Sequence, residues 1–175
     1  MVTALVRSID RLSGASGIVI AWIVFPLILA TCFEVFSRYA LNAPTIWAFE
    51  LGYMAMGTHA LIGAAYTLRE GGHIRIDVLY SRFPDKAKAV VDTAGYLLLF
   101  LPVVCWVSWG LWDYWVEAYV NNDHSGQSAW NPVIWPFRLV FFLGYFLLAL
   151  QGVAELVRCV RVLTGRATAR QAPHG

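Results

Sequence analysis

The chain has 175 residues, 59% hydrophobic and only 14% charged, with eight Trp and a net charge of +2. A water-soluble domain usually carries about a quarter charged residues, so this composition excludes a core wrapped in polar surface and makes a bilayer the solvent. Cys32, Cys105 and Cys159 form no CxxC and give no thiol-redox or metal motif, and no nucleic-acid partner is expected.

Arg7 and Arg11 precede the first apolar run, at about 17–38. The "LATC" at 29–32 is similar to a lipoprotein cleavage site. Thr31 is a poor residue before such a Cys, however, and Glu34 and Arg38 continue the helical run, so the segment is read as a retained span. Further apolar runs at about 45–67, 89–112 and 134–157 also reach the roughly 20 residues that cross a hydrocarbon core. Backbone groups in lipid must bond within their own segment, so all four are read as helices. The expected fold class is an all-α integral membrane protein with four transmembrane helices. It forms a single domain over 1–165, followed by a disordered polar tail at 166–175.

Lys and Arg fall on one side. Arg38 and Arg138 apart, they occupy the N-terminal segment, the 68–88 connection and the tail, and are missing from 39–44 and 113–133. The positive-inside rule therefore places both termini and the 68–88 connection in the cytoplasm. The inverted repeat of a complete secondary transporter is not seen.

Within the spans, Glu34 and Arg38 stand at i and i+4 near the outer end of the first helix. Asn42 and Pro44 suit a turn, after which Glu50 enters the second helix at similar depth. Charges there are either mutually paired and snorkelling or set against a protein partner. His59 lies near the centre of the second helix, on a face shared with Ala48, Gly52, Ala55 and Gly63, while Gly57, Ala60 and Ala64 form another small-residue stripe. Such stripes predict a helix packed on more than one side. His59 is read as a packing residue, with haem ligation as the alternative. Pro84 can open the third helix, which then runs to about Val120 and is subject to a kink at Pro102. The segment after it is aromatic and free of positive charge. Trp112, Asp113, Trp115, Glu117, Tyr119, Asp123 and Trp130 form either an interfacial belt or a protein-contact surface. Arg138 could pair with these acids or reach phosphates. In "LREGGHIRID" at 68–77, Gly71 and Gly72 can end the second helix, and Arg69, His73, Arg75 and Asp77 mark a cytoplasmic anchor without nucleophile–base pairing.

"RYALNAPTIWAFEL" at 38–51 and "GAAYTLREGGHIRIDVL" at 63–79 resemble the small membrane subunit of tripartite ATP-independent periplasmic (TRAP) transporters. The resemblance rests on Arg38, Tyr39, Asn42, Pro44, Trp47, Glu50, Gly63, Ala64, Ala65, Tyr66, Arg69, His73, Ile74, Ile76 and Asp77. Phe49 stands where many relatives have a second acid. "WNPVIWP" at 130–136 and "LQGVAE" at 150–155 extend the similarity to the fourth helix.

The resemblance implies a non-enzymatic, cofactor-free subunit of the bacterial inner membrane. Its partners would be a large membrane subunit, which moves an organic acid with sodium, and a periplasmic substrate-binding protein. Glu34, Arg38, Asn42, Trp47, Glu50, His59, Arg69, His73, Arg75 and Asp77 become candidates for contact with the large subunit. The aromatic and acidic residues of 112–130 become candidates for contact with the binding protein. The competing reading is a haem-binding four-helix anchor of an oxidoreductase. An independent channel is disfavoured by the shortage of polar residues in the middle of the spans.

Overall fold

The apolar runs fold as helices, and their ends follow local chemistry. The computed structural model describes residues 2–71 and 83–165. Helix α1 (Val2–Ala21) is followed, after a tight turn at Trp22 and Ile23, by α2 (Val24–Ala40), so that one helical stretch runs 37 residues from Ala4 to Ala40. At about 1.5 Å per residue this rod is roughly 55 Å long, well beyond a hydrocarbon core of about 30 Å. The expected first span, 17–38, therefore lies within a longer element. The N-terminal turns are less apolar than a span requires, but they bury Val6, Ile9, Ser13, Gly17 and Ile20 at helical spacing.

Asn42 adopts φ 50° and turns the chain, with the Ala43 N–H donating to the Ser37 carbonyl. Helix α3 (Ala48–Arg69) then runs back along the first stretch. It ends where Gly71 takes φ 70°, the role expected of this glycine. The remainder of the 68–77 motif, including His73, Arg75 and Asp77, lies outside the described residues, as does the expected tail at 166–175.

Helix α4 (Asp85–Gly95) follows Pro84 and leads through a π turn (Tyr96–Phe100) into α5 (Leu101–Asn121). The Leu101 N–H bonds to the Tyr96 carbonyl, five residues back. Pro102 lacks the N–H that an α-helix would direct at residue 98, so the wider turn just before it absorbs the mismatch that the sequence marks as a kink. Asn122, at φ 51°, terminates α5, with Asp123 N–H to the Ala118 carbonyl at 3.0 Å and Asn122 N–H to the Tyr119 carbonyl at 3.4 Å. This is a Schellman-type stop with Asn in the left-handed position. A short hairpin over 122–134 then leads into α6 (Trp135–Leu163), 29 residues long.

Helix α6 is the hub, packing most extensively on α5 and α3 and also on α1 and α4, while α2 packs chiefly on α3. At Gly144 a Cβ would lie 3.2 Å from the backbone carbonyl of Leu61, so α3 and α6 cross nearly backbone to backbone. At Gly152 a methyl group would overlap the Phe100 ring, so the π turn rests on this glycine.

Among the described residues, the stretches Ala4–Ala40, Lys86–Asn121 and Trp135–Leu163 are long and apolar enough to cross a membrane. Helix α3 has 22 residues, the length of a span, but its Glu50, Thr58, His59, Thr67 and glycines leave it below that apolarity. It is instead flanked by α1, α2 and α6, packed on more than one side as expected.

Candidate subunit-contact site

The turn between α2 and α3 is organised by Glu34. One of its oxygens accepts from Arg38, at 2.9 Å from Nε and 2.5 Å from the terminal nitrogen. The other accepts the backbone N–H of Thr45 at 2.8 Å and the Thr45 hydroxyl. The acid four residues before the Arg is the favourable helical order, and the Thr45 bonds fasten the turn back onto α2. Glu34 is thereby largely enclosed, with its side chain 13% exposed, whereas the Arg38 side chain is 53% exposed. Trp47 closes the turn by stacking on Phe33, with centroids 6.3 Å apart and planes at 17°. Asn42 is exposed and acts through its backbone angle.

Glu50 is placed differently. It is fully buried, and one carboxylate oxygen accepts the Ser128 hydroxyl from the hairpin over 122–134. Its other oxygen has no hydrogen-bond partner among the described residues. Ser128 also accepts the Trp130 N–H at 3.1 Å, so this one hydroxyl joins α3 to the hairpin.

Arg138 holds the other side of the same hairpin, and here the pairing expected with the local acids is seen. Its guanidinium donates to Asp123 at 3.0 Å and to the Tyr114 carbonyl at 3.3 Å, and lies 3.8 Å from the Tyr114 ring centroid. The hairpin is closed internally by Ser125 N–H to the Pro132 carbonyl and Ile134 N–H to the Asp123 carbonyl.

The aromatic residues divide between packing and exposure. Trp112 lies 4.9 Å from Trp115 and 5.1 Å from Phe142, and Tyr119 lies 5.4 Å from Trp135, so this cluster glues α5 to α6. Asp113, Glu117 and Trp130 are exposed, while Trp115 is half-buried. His59 is half-buried in mid-α3. Arg69 is 3.3 Å from Glu70, and its guanidinium lies within contact of Gly14 on α1, where a side chain would collide with it.

A second polar group, which the sequence reading did not single out, lies at the other end of the bundle. Ser13 donates to Gln151 Oε1 at 2.8 Å; the Gln151 amide donates to Asp10 at 3.2 Å and to Glu155 at 2.9 Å. Arg158 bridges Asp10, at 2.5 Å, and Glu155. Ser13, Gln151 and Glu155 are fully buried. The available signal was the spacing of Gln151, Glu155 and Arg158, which puts three polar residues on one face of an otherwise apolar helix. Their partners on α1 lie about 140 residues away in sequence, beyond any periodicity argument.

These contacts join helices and fasten a loop. They form no group that could hold a metal ion among the described residues. The comparisons with known proteins agree with that character. Residues 27–162 match the family of the tripartite ATP-independent periplasmic transporters, DctQ component. The chain is 25% identical over 108 residues to the sialic acid TRAP transporter small permease protein SiaQ of Vibrio cholerae, covering 62% of this chain and 56% of that one. It is 24% identical over 105 residues to the sialic acid TRAP transporter permease protein SiaT of Haemophilus influenzae, covering 60% of this chain and 17% of that one. The match thus spans just over half of one curated relative and about a sixth of the other. The family is a transport component and not an enzyme, and the reading of a haem-binding anchor finds no support in it. With its family model matched over most of its length, this chain belongs to the DctQ components of TRAP transporters, their small permease subunits.

Proposed function

We propose that the chain is the non-translocating small subunit of a sodium-coupled TRAP transporter for an organic acid. In this reading it braces the large subunit in the bilayer and helps dock the periplasmic binding protein. It crosses the membrane four times, with α3 as the span sheltered by its neighbours and both termini in the cytoplasm. The curated relatives are named for sialic acid, a carboxylate sugar, which fits the organic-acid class.

One observation carries the proposal. Among the described residues, the fully buried polar side chains Ser13, Glu50, Gln151 and Glu155 lie in two groups, one at each end of the bundle; Ser13, Glu50 and Gln151 each bond to another element, and Glu155 is held by Gln151 and Arg158 of its own helix. A translocation path needs polar groups along its length, and a brace needs them at its joints. Docking is supported by the outer hairpin, which Ser128 and Arg138 fasten on both sides while Trp130 stays exposed. Rigid aromatic residues of this kind are common anchors of protein contacts.

Reconstitution tests the reading. Liposomes holding this chain, the large subunit and the binding protein are expected to accumulate substrate on a sodium gradient, and liposomes lacking any one component are not. Uptake by this chain alone at the rate of the full system would refute it.

A further inference from the structure

We propose that the groove between α2 and α3 seats a transmembrane helix of the large permease subunit, with Gly52 at the point of closest approach. This rests on the subunit reading above and adds the face that makes the contact. The groove is open to the outside of the bundle and lined by Leu27, Thr31, Arg38, Gly52, Tyr53 and Met56.

Glycine chemistry supplies the first argument. A glycine inside a helix costs about 1 kcal/mol relative to Ala, a cost that close packing of a neighbour offsets. Gly17, Gly57, Gly144 and Gly152 each have one within the chain, respectively Tyr66, Phe137, Leu61 and Phe100. Gly52 has none of that kind: a Cβ there would meet only Leu27, at 3.9 Å. Gly63, eleven residues further along the same face of α3, has nothing within 4 Å. Acyl chains conform to any side chain and place no premium on glycine. A helix backbone packing at short range does.

Charge supplies the second. Arg38 lines the groove with its side chain 53% exposed, as does the exposed ring of Phe49. Ionisable groups in membrane-spanning segments face protein or water-filled cavities, so a seated helix would offer acceptors to this guanidinium near its outer end. The opposite side of the molecule also has glycines with nothing within 4 Å, Gly95 and Gly110, but no charge between them. Residues 93–112 carry no charge, and Leu97, Leu98, Leu99, Val103 and Trp106 are exposed there, a surface suited to lipid.

The third argument identifies the occupant. In the Haemophilus influenzae permease the region matched by this chain is 17% of a single polypeptide, so in that relative a counterpart of this subunit is covalently joined to a much larger remainder. The chain equivalent to that remainder is the occupant that the groove fits.

The test uses the assembled transporter in native membranes. Gly52→Leu adds bulk where this chain has room and improves helix propensity, so the variant is expected to insert at the wild-type level. Recovery of the large subunit with it is expected to fall at least tenfold, equivalent to about 1.4 kcal/mol. Val103→Leu, on the exposed apolar face of α5, is the control and leaves recovery unchanged. A photoreactive phenylalanine at Met56 is expected to crosslink to the large subunit, and one at Leu98 only to lipid. Unchanged recovery with Gly52→Leu, or a Met56 adduct with lipid or with a second copy of this chain, overturns the groove assignment. If the unaltered chain recovers no large membrane subunit, the underlying subunit reading fails instead. Should Gly52→Leu insert poorly, the Met56 crosslink decides alone.

Discussion

Removing Arg158 perturbs the bundle at its most interdependent point. The guanidinium is 2.5 Å from Asp10 and also donates to the fully buried Glu155, which shares the Gln151 amide with Asp10. Arg158→Leu leaves two carboxylates without this cation. Breaking a buried pair by deleting one partner costs about 3–5 kcal/mol, and the lower end applies here because Arg158 and Asp10 are each 21% exposed. That energy holds α1 against α6, so its loss makes local opening easier by about 3 kcal/mol, roughly a hundredfold. Cys159 reports the opening. It is 5% exposed and lies one turn beyond Glu155 on the same face of α6. In a Cys32→Ser, Cys105→Ser background, alkylation of Cys159 in detergent should accelerate by about two orders of magnitude in Arg158→Leu. Arg158→Lys, which keeps the charge but loses the fork, should fall between. Arg161→Leu, outside the network, should match the parent. If Cys159 in a correctly inserted Arg158→Leu protein stays as protected as in the parent, the network does not clamp α1 and the reasoning fails.

Other expectations follow from the same contacts. Ser13→Ala removes the donor to Gln151 in a buried interhelical bond and should cost about 0.6–1.7 kcal/mol, read from unfolding in mixed micelles. Gly152→Ala should destabilise by about 1–3 kcal/mol because the methyl overlaps the Phe100 ring, and adding Phe100→Leu should recover much of the loss in the same assay. Asp123→Ala removes the acceptor for Arg138 and should loosen the outer hairpin by about 1.5–3 kcal/mol, visible as faster proteolysis within 122–134 from the outer side. Glu50→Gln retains an acceptor for Ser128, whereas Glu50→Ala does not. Only the second should raise hairpin proteolysis, and equal effects would show that the carboxylate acts by charge instead of as a hinge pin.

The sequence carries the helices because bilayer chemistry is read directly from apolar runs. The third helix begins after Pro84 and ends at Asn121, within a residue of where the aromatic run gives out, and Pro102 marks the place of the π turn. The first helix is longer than its apolar run because Asp10 and Ser13 are polar residues facing a polar partner. Hydropathy scores such residues as solvent-exposed whether or not they are buried. Glu34 and Arg38 pair locally, so their spacing reveals them. Glu50 looks the same in sequence, yet its partner Ser128 is 78 residues away and reaches it only after α5 has reversed direction, so no local pattern separates a rim charge from a buried one. The outer aromatics posed a similar ambiguity. Trp112 and Tyr119 touch α6 through their rings and are still part-exposed, as Trp130 is, so one residue can serve both packing and surface.

The central claim, that this chain works as the companion of a large permease subunit, is tested most directly by tagging it in its native host and extracting it in mild detergent. The account predicts that a many-helix, colourless membrane protein co-purifies in stoichiometric amount. Recovery of this chain alone, or with a haem-containing redox subunit, would contradict it.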